Sequence, residues 1–295
     1  MAISVSENQQ EAGFWRKAGG VGAGFLTYGI APNLSLKFFS PKCMERMIKL
    51  NQSLSADEVK LLHSAGNQIL EKSGLTAKGV VKQLGMTEAD EKTIFAPITK
   101  LLDKFNISKD VREKILENNP VKKQLTEGKN AFFEGKLNKI FMPKNGGMEL
   151  AQFHEIGHAL NYNMSKVGKF LQKARFFTPM LATVALFTAL FKNKKAEGEK
   201  PTGWWDKTTT FVKNHAGKLA VAGMLPLVIE EAMATYKGEK FASKIPELGG
   251  LMKKIKASNR WGLATYVALT AAMGLGVMLA GKVRDAIIQP KANKA

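Results

Sequence analysis

The chain has 295 residues, of which 45% are apolar and 23% charged, so it is long enough for a buried core and too apolar for a disordered tail. Its single cysteine, Cys43, excludes an internal disulfide framework. The formal net charge is +19, and residues 151–295 supply +13 of it. Because these charges flank long uncharged stretches, the pattern favours an anionic lipid membrane as partner and no nucleic acid.

The N-terminal region, residues 1–40, is predicted to hold a polar segment followed by a weak hydrophobic segment. Residues 1–17 are polar, whereas residues 18–36 lack charge but are rich in glycine and interrupted by Pro32. No basic stretch and small-residue cleavage site frame a short apolar core, so no cleaved signal peptide is predicted. Whether this region enters a membrane stays open at this point.

Residues 41–128 are predicted to form a helical region. Ser55 followed by Glu58 three residues later is a capping box, which begins a helix. Thr87 and Ser108 precede acidic residues in the same manner and predict two further helix starts. Between these starts, apolar residues recur at helical spacing.

A small β element is predicted next, at the start of a region that runs from 129 to 260. Residues 131–142 contain two apolar-rich pieces separated by Gly135, and Pro143 ends the second piece. This pattern indicates a short hairpin or a bent strand pair. A helix is then predicted from Met148 or Glu149 to about residue 172.

The predicted helix carries the sequence His154-Glu155-Ile156-Gly157-His158. Two histidines four residues apart project from one face of a helix, so their imidazoles can share one metal ion. Zinc prefers such nitrogen ligands, and a hydrolytic zinc site keeps one position for water. A carboxylate beside that water, here Glu155, accepts its proton as general base. The motif therefore predicts one Zn²⁺ per chain, with His154 and His158 as ligands.

The third protein ligand must come from another segment. Glu230 and Glu231 follow the uncharged residues 219–229, and a carboxylate placed there needs a partner such as a metal ion. The alternative is an ordinary acidic pair at a helix N-terminus, favoured by the helix dipole. His215 is the remaining candidate, although it lies in a lysine-rich stretch.

The C-terminal half also contains the uncharged runs expected of membrane-associated helices. The longest is Trp261–Gly281, whose 21 residues at about 1.5 Å each span a hydrocarbon core of roughly 30 Å. A transmembrane helix is predicted over 261–283, followed by a basic tail over 284–295. Shorter runs at 176–191 and 219–229 predict a hydrophobic hairpin over 176–229, which could be a tilted hairpin, a re-entrant pair or an interfacial pair. The lysine-rich residues 192–218 between them are predicted to form a solvated or headgroup-level loop.

Together the His154–Leu160 motif, the hydrophobic hairpin and Glu231-Ala232-Met233-Ala234-Thr235 resemble gluzincin-type integral membrane zinc metallopeptidases. The layout is similar to the HtpX and CAAX-prenyl protease family, and more similar to the YugP-type membrane zinc proteases. The resemblance covers residues 130–245. It implies a mainly α fold with a small β element, a zincin-like catalytic core and zinc ligation by His154, His158 and Glu231. Thr235 departs from the HtpX-type pattern, which has an aspartate there that orients the first histidine.

In this scheme the strand near Leu137, Asn138 and Ile140 would be an exposed sheet edge that binds an extended substrate. Tyr236, Tyr162 and His215 are candidates for stabilising the oxyanion. The expected function is a membrane-integral zinc metalloendopeptidase acting on a protein or peptide substrate near the membrane. A hairpin that does not cross the bilayer would place the zinc site on the cytoplasmic side. The alternative is a non-catalytic membrane scaffold in which the metal is structural or absent.

Overall fold

The computed structural model describes residues 3–175, 177–193 and 200–288, and these are mainly helical with one small sheet, as the sequence predicts. The α-helices are α1 (Ile3–Leu34), α2 (Ser40–Gln52), α3 (Ala56–Lys72), α4 (Glu88–Lys104), α5 (Lys109–Glu117), α6 (Pro120–Thr126), α7 (Gln152–Met164), α8 (Lys166–Ala174), α9 (Thr178–Phe191), α10 (Gly203–Ala242) and α11 (Met252–Ile288). The strands are β1 (Val81–Leu84), β2 (Phe132–Glu134) and β3 (Lys139–Met142).

The chain divides into two compact units, each formed from separate stretches of sequence. The sheet unit comprises residues 42–172 and 229–264, and the bundle unit comprises 1–41, 173–228 and 265–295. The predicted boundary between 41–128 and 129–260 therefore does not separate two compact units. Residues 41–128 instead contribute to the core that also contains the histidine motif.

The bundle unit contains α1, α9 and the adjoining parts of α10 and α11, and its interior is made mostly of small side chains. Ala182, Ala185 and Ala189 of α9 are buried, as are Ala216 and Ala220 of α10. Large apolar side chains point outward along the same helices; among them are Phe25, Leu26, Phe187, Phe191, Phe211 and Leu275. Small residues inside and large apolar residues outside are typical of helices that pack together in lipid.

Within the part of the chain that the structure describes, two unbroken helical segments are long and apolar enough to cross a membrane, namely Gly203–Ala242 and Pro246–Ile288. The second contains the predicted span 261–283. The segment Gly203–Ala242 shows that the predicted loop over 192–218 is wrong. The helix α10 begins at Gly203, and the described part of 192–218 is largely helical. Lys194 and Lys195, and residues 289–295 of the predicted basic tail, lie outside the described residues. Residues 3–17, which the sequence predicts only as a polar segment, belong to α1.

In the sheet unit, three short strands pack beside α7. β3 pairs in parallel with β1 and antiparallel with β2, so the strand order is β1-β3-β2. The predicted hairpin is confirmed as β2 and β3, whereas β1 lies in the region predicted to be helical only. The sheet packs into one apolar core with α3 and α7 that includes Leu62, Ile69, Ile140, Phe153 and Ile156.

The helix starts in this unit follow the predicted capping signals. The capping box of Ser55 and Glu58 is complete, and so is the box of Thr87 and Asp90. Ser108 also precedes a helix, but its side chain makes no capping hydrogen bond. The helix predicted from 148 or 149 to 172 is shorter than expected, because Ser165 is extended and separates α7 from α8.

Candidate metal centre

α7 holds the histidine motif rigidly because its other faces are buried in the core. Phe153, Ile156 and Ala159 are fully buried, and they fix the rotation of the helix. His154 and His158 then lie one turn apart on the same face, with ring centroids 4.5 Å apart. Glu155 and His158 are both 6% exposed, so the motif is an interior feature of the sheet unit.

The C-terminal part of α10 crosses α7 at very short range, and two glycines make this approach possible. A Cβ atom at Gly157 of α7 would overlap the carbonyl group of Ala234, and one at Gly238 of α10 would overlap the carbonyl group of Phe153. Gly157 and Gly238 therefore lie where the two helix backbones are in contact. The contact brings Glu230 and Glu231 to the two histidines.

Gly157→Ala is expected to separate the two helices and to weaken metal binding together with stability. Overpacking of this kind costs about 1–3 kcal/mol of unfolding free energy, here with the added loss of ligand geometry. Thermal unfolding with and without zinc measures both effects. Gly249→Ala is the matched control because nothing lies within 4 Å of its Cβ position. Equal zinc-dependent stabilisation in the two variants would contradict the proposed role of the helix contact.

Three donor atoms converge between α7 and α10. Nε2 of His154 lies 3.0 Å from Nε2 of His158 and 3.0 Å from Oε2 of Glu231, and the third separation, from His158 Nε2 to the same oxygen, is 3.4 Å. Donors bound tetrahedrally at zinc's usual distances of about 2.0–2.1 Å would lie about 3.3 Å apart. The three separations therefore match one face of a zinc coordination tetrahedron.

The outer nitrogens of both imidazoles have their own acceptors. Nδ1 of His154 lies 3.1 Å from Oγ1 of Thr235, and Nδ1 of His158 lies 2.9 Å from Oε1 of Glu230. Assigning the ring protons to these nitrogens leaves both Nε2 lone pairs facing inward. Two lone pairs and a carboxylate oxygen about 3 Å apart repel one another unless a cation lies between them, so these residues fit a metal ion.

Glu230 is held by several hydrogen bonds, but it lies on the far side of His158 from the three converging donor atoms. Its Oε1 also accepts hydrogen bonds from Asn161 Nδ2 at 3.1 Å and from Gln172 Nε2 at 2.9 Å. Both Glu230 and Glu231 are fully buried. The geometry thus gives the two neighbouring glutamates different positions: Glu231 is beside both Nε2 atoms, and Glu230 is behind His158. Partners of this kind orient the histidine ligands of metal sites.

The sequence did not identify Asn161, Gln172 or Thr235 as supports of the histidines. Asn161 and Gln172 are ordinary polar residues in a helical stretch, and they carry no local signal. Thr235 stands where the resemblance implies an aspartate, and its hydroxyl makes the contact to His154 Nδ1 that the aspartate would make. The side chain that supports His154 is therefore Thr235, the residue that departs from the HtpX-type pattern.

Thr235→Val is expected to weaken zinc binding by roughly 10–100-fold, the usual loss when an outer partner of a ligand is removed. Valine keeps the shape of threonine, while the hydroxyl that fixes the His154 ring is lost. Thr235→Ser should restore most of the affinity because it restores the hydroxyl. Competition for zinc with a fluorescent chelator measures the dissociation constants, and equal constants for the valine and serine variants would contradict the role of this hydroxyl.

Glu155 lies beside the donor atoms and is held by the sheet. Its Oε2 accepts the backbone N–H of Phe133 in β2 at 2.8 Å, and its carboxylate and both imidazoles lie within 4.8 Å of one another. Burial raises the pKa of Glu155 above its ordinary value. Burial also disfavours charge on His158, but the carboxylates of Glu231 and Glu230 outweigh it and raise the pKa of His158 well above its ordinary value. The cluster thus attracts positive charge to its centre.

The other candidate residues, His215, Tyr236 and Tyr162, make different contacts. His215 is on α10 about four turns before Glu231, and its Nδ1 contacts the carbonyl oxygen of Phe211. Tyr236 is 64% exposed beneath Lys240, and Tyr162 packs edge-on against Phe133. None of the hydrogen bonds described for the site involves these three side chains.

The predicted substrate strand is wrong in its details. β3 is the central strand, so its main-chain groups already pair with β1 and β2. Leu137 and Asn138 precede β3 in the turn after β2, where Asn138 is left-handed with φ 50°, and Ile140 is fully buried. The strand beside Glu155 is instead β2, whose Phe133 N–H points to that carboxylate and away from β3.

No protein-family model matches this chain, and neither a curated protein nor a solved structure matches it. The resemblance seen in the motifs therefore remains a hypothesis, and the function must be argued from the site itself.

Proposed function

We propose that this protein is a membrane-integral zinc metalloendopeptidase of the gluzincin type. The observation that carries the proposal is the convergence of His154 Nε2, His158 Nε2 and Glu231 Oε2 at 3.0–3.4 Å, with Glu155 beside them. Three protein ligands with a neighbouring carboxylate are the set that hydrolytic zinc sites use. A purely structural zinc site generally has four protein ligands and no such carboxylate.

His154, His158 and Glu231 would hold the zinc ion, which would supply a Lewis acid for the scissile carbonyl and lower the pKa of an attacking water. Glu155 accepts a proton from that water and later delivers it to the departing amine nitrogen. Its Oε2 is fixed by the Phe133 N–H, so the carboxylate stays aimed at the reacting atoms. Burial favours the protonated form of Glu155, which suits a group that must both take and give a proton.

An extended peptide is the substrate that the neighbouring backbone suits best. Among the described residues β2 forms an edge of the sheet, and its outer side borders Glu155. A peptide that adds to such an edge is held by main-chain hydrogen bonds, largely regardless of sequence. Because the Phe133 N–H is bonded to Glu155, we assign substrate alignment to the other outward main-chain groups of β2 rather than to Leu137, Asn138 and Ile140.

The membrane part of the proposal is supported by the two helical segments that are long and apolar enough to span a bilayer. One of them, α10, carries Glu231 shortly after its apolar stretch. The large outward-facing apolar side chains of the bundle unit would be costly in water and are stabilised by lipid. A substrate close to the membrane follows from this location.

Removing the metal tests the proposal directly. The detergent-purified full chain should contain about one zinc per molecule, and treatment with 1,10-phenanthroline should abolish its hydrolysis of an unfolded reporter protein. Adding zinc back should restore activity, and magnesium, which prefers oxygen ligands, should not. A stably folded, metal-free chain that gains nothing from zinc would rule out the peptidase and leave the non-catalytic scaffold.

A further inference from the structure

The helix α8 is amphipathic and strongly basic, and the peptidase proposal does not use either property. Its nine residues, KVGKFLQKA, include three lysines and no acidic residue. Because successive residues of a helix are about 100° apart, Lys166, Lys169 and Lys173 lie along one side of it. The neighbouring sequence has the same bias, since residues 156–196 contain no aspartate or glutamate. All of α8 except its last two residues belongs to the sheet unit.

One side of α8 packs against the residues that support the metal centre. Gly168 is buried, and a Cβ atom there would overlap the backbone of Asn161 in α7. From the same side, Gln172 donates hydrogen bonds to the carbonyl oxygen of His158 at 2.8 Å and to Oε1 of Glu230 at 2.9 Å. These contacts fix the rotation of α8 about its axis, so they also determine which side chains face away from the sheet unit.

The side of α8 that faces away carries large apolar side chains next to the lysines. Val167 is 61% exposed and Phe170 is 68% exposed. Around the helix axis, Phe170 lies between Lys166 and Val167, at about 40° from the first and about 60° from the second. Lys166 and Lys169 are exposed as well. Basic and apolar side chains thus form one continuous exposed surface, and an apolar surface of this kind marks an interaction site.

An anionic membrane surface is the partner that fits both parts of this surface. Helices that lie in the plane of a membrane carry lysines on the polar face and residues such as phenylalanine on the apolar face. Only three residues separate α8 from α9, whose 14 residues include no charge, so an apolar helix follows α8 directly in the chain. Three lysines within nine residues would be costly in hydrocarbon, which favours the membrane surface over its interior for α8 itself.

We propose that α8 lies in the surface of a membrane that contains anionic lipid, with Val167 and Phe170 among the upper acyl chains and Lys166 and Lys169 at the lipid phosphates. The proposal rests on the membrane part of the proposed function and not on peptidase activity. An α-helix with its side chains is about 10 Å across. Because Gln172, on the inner side of α8, contacts the main chain of a proposed zinc ligand, the metal centre lies about one helix diameter from the lipid headgroups.

The depth of residue 167 in lipid vesicles tests this placement. The full chain carries Cys43→Ala, which removes its single cysteine, and Val167→Cys, which takes a nitroxide label. Collision rates of the label with oxygen and with a water-soluble nickel complex report its depth. In vesicles of equal parts phosphatidylcholine and phosphatidylglycerol, the label should lie about 5–10 Å below the phosphates. In vesicles of phosphatidylcholine alone, it should be accessible to the nickel complex.

Removing the lysines tests the role of the anionic lipid. Each basic residue near an anionic surface contributes about fivefold to binding, so Lys166→Gln together with Lys169→Gln should shift α8 away from the lipid by about 25-fold and expose the label to the nickel complex. Lys72→Gln together with Lys78→Gln is the matched control, because both lysines are exposed in the same unit outside α8. A label at Ser64→Cys, exposed on α3, should stay in water throughout. Circular dichroism confirms that each variant is folded.

Three results would overturn the proposal. A label in water in both kinds of vesicle would show that this side of α8 binds something other than lipid, such as an acidic protein. A label near the bilayer centre, about 15 Å deep, would show that α8 and α9 form one bent span. The same depth in both kinds of vesicle, or after loss of the two lysines, would remove the role of anionic lipid. Absence of peptidase activity would leave the depth result unchanged, so the two proposals fail separately.

Discussion

Glu155→Gln is expected to lower peptide hydrolysis by about 10²–10⁴-fold, the range that a positioned general base contributes, while zinc remains bound. Glutamine keeps an oxygen that can accept the Phe133 N–H, so the side chain should hold its position. It has no basic oxygen at neutral pH and cannot take the proton. The turnover number and the zinc content, measured on the same preparation, separate loss of the base from loss of the metal.

Glu71→Gln is the matched control for this variant. Glu71 is exposed on α3 in the same unit, and the change removes the same charge. It should hydrolyse the reporter at the parental rate. Hydrolysis by Glu155→Gln at the rate of Glu71→Gln would show that Glu155 is not the base, and zinc loss in Glu155→Gln would show that its carboxylate helps to hold the metal.

The sequence predicts the part of the site that depends on local geometry. The spacing of His154 and His158 and the place of Glu155 between them follow from the pitch of one helix, and the structure has this helix. The capping boxes at Ser55 and Thr87 are equally local, since each involves residues only three apart. Patterns of this kind are readable because the interacting groups are held together by the covalent chain.

The arrangement of the strands could not be predicted in the same way. β1 reaches β3 across 54 intervening residues, from Leu84 to Lys139, and no turn signal links the two. That pairing makes β3 central and buries Ile140, which is why the predicted substrate edge is wrong. An apolar strand next to a turn gives the same sequence pattern whether it is at an edge or in the middle.

The extent of α10 shows a similar limit. The lysines of 192–218 suggested a solvated loop, yet the described part of this stretch is helical from Gly203 onward. Lysine is a good helix former, so a lysine-rich stretch is compatible with a helix as well as with a solvated loop. What distinguishes them is packing, here the burial of Lys213 and Ala216 against neighbouring helices.

The proposed third zinc ligand could be predicted from the sequence only in part. The sequence narrows the choice to Glu230, Glu231 and His215, because a carboxylate after an apolar run needs a partner. Adjacent residues on a helix point about 100° apart, so only one of the two glutamates can face a given metal, and the sequence does not say which. The distances favour Glu231, whose Oε2 is near both Nε2 atoms.

Glu231→Gln and Glu230→Gln are therefore expected to differ in kind. Glu230→Gln should retain one zinc with an affinity lowered by roughly 10–100-fold, because it alters only the support of His158. Its amide oxygen can take the place of Oε1 and accept from His158 Nδ1, Asn161 and Gln172, but a neutral amide oxygen is a weaker acceptor than a carboxylate oxygen. Glu231→Gln removes a negatively charged ligand atom and should lower the affinity for zinc by more than the roughly 10–100-fold expected of Glu230→Gln.

Each glutamate variant is the control for the other, since both remove a fully buried carboxylate from the same turn of α10. General destabilisation would therefore affect both alike, and only a ligand role would separate their zinc affinities in a chelator competition. Stronger zinc loss in Glu230→Gln would exchange the roles of the two residues. Equal and small losses would point to a site in which α10 orients the histidines without binding the metal. In that case α10, which is long and apolar enough to span a membrane, would fix the position of the histidines and would not coordinate zinc.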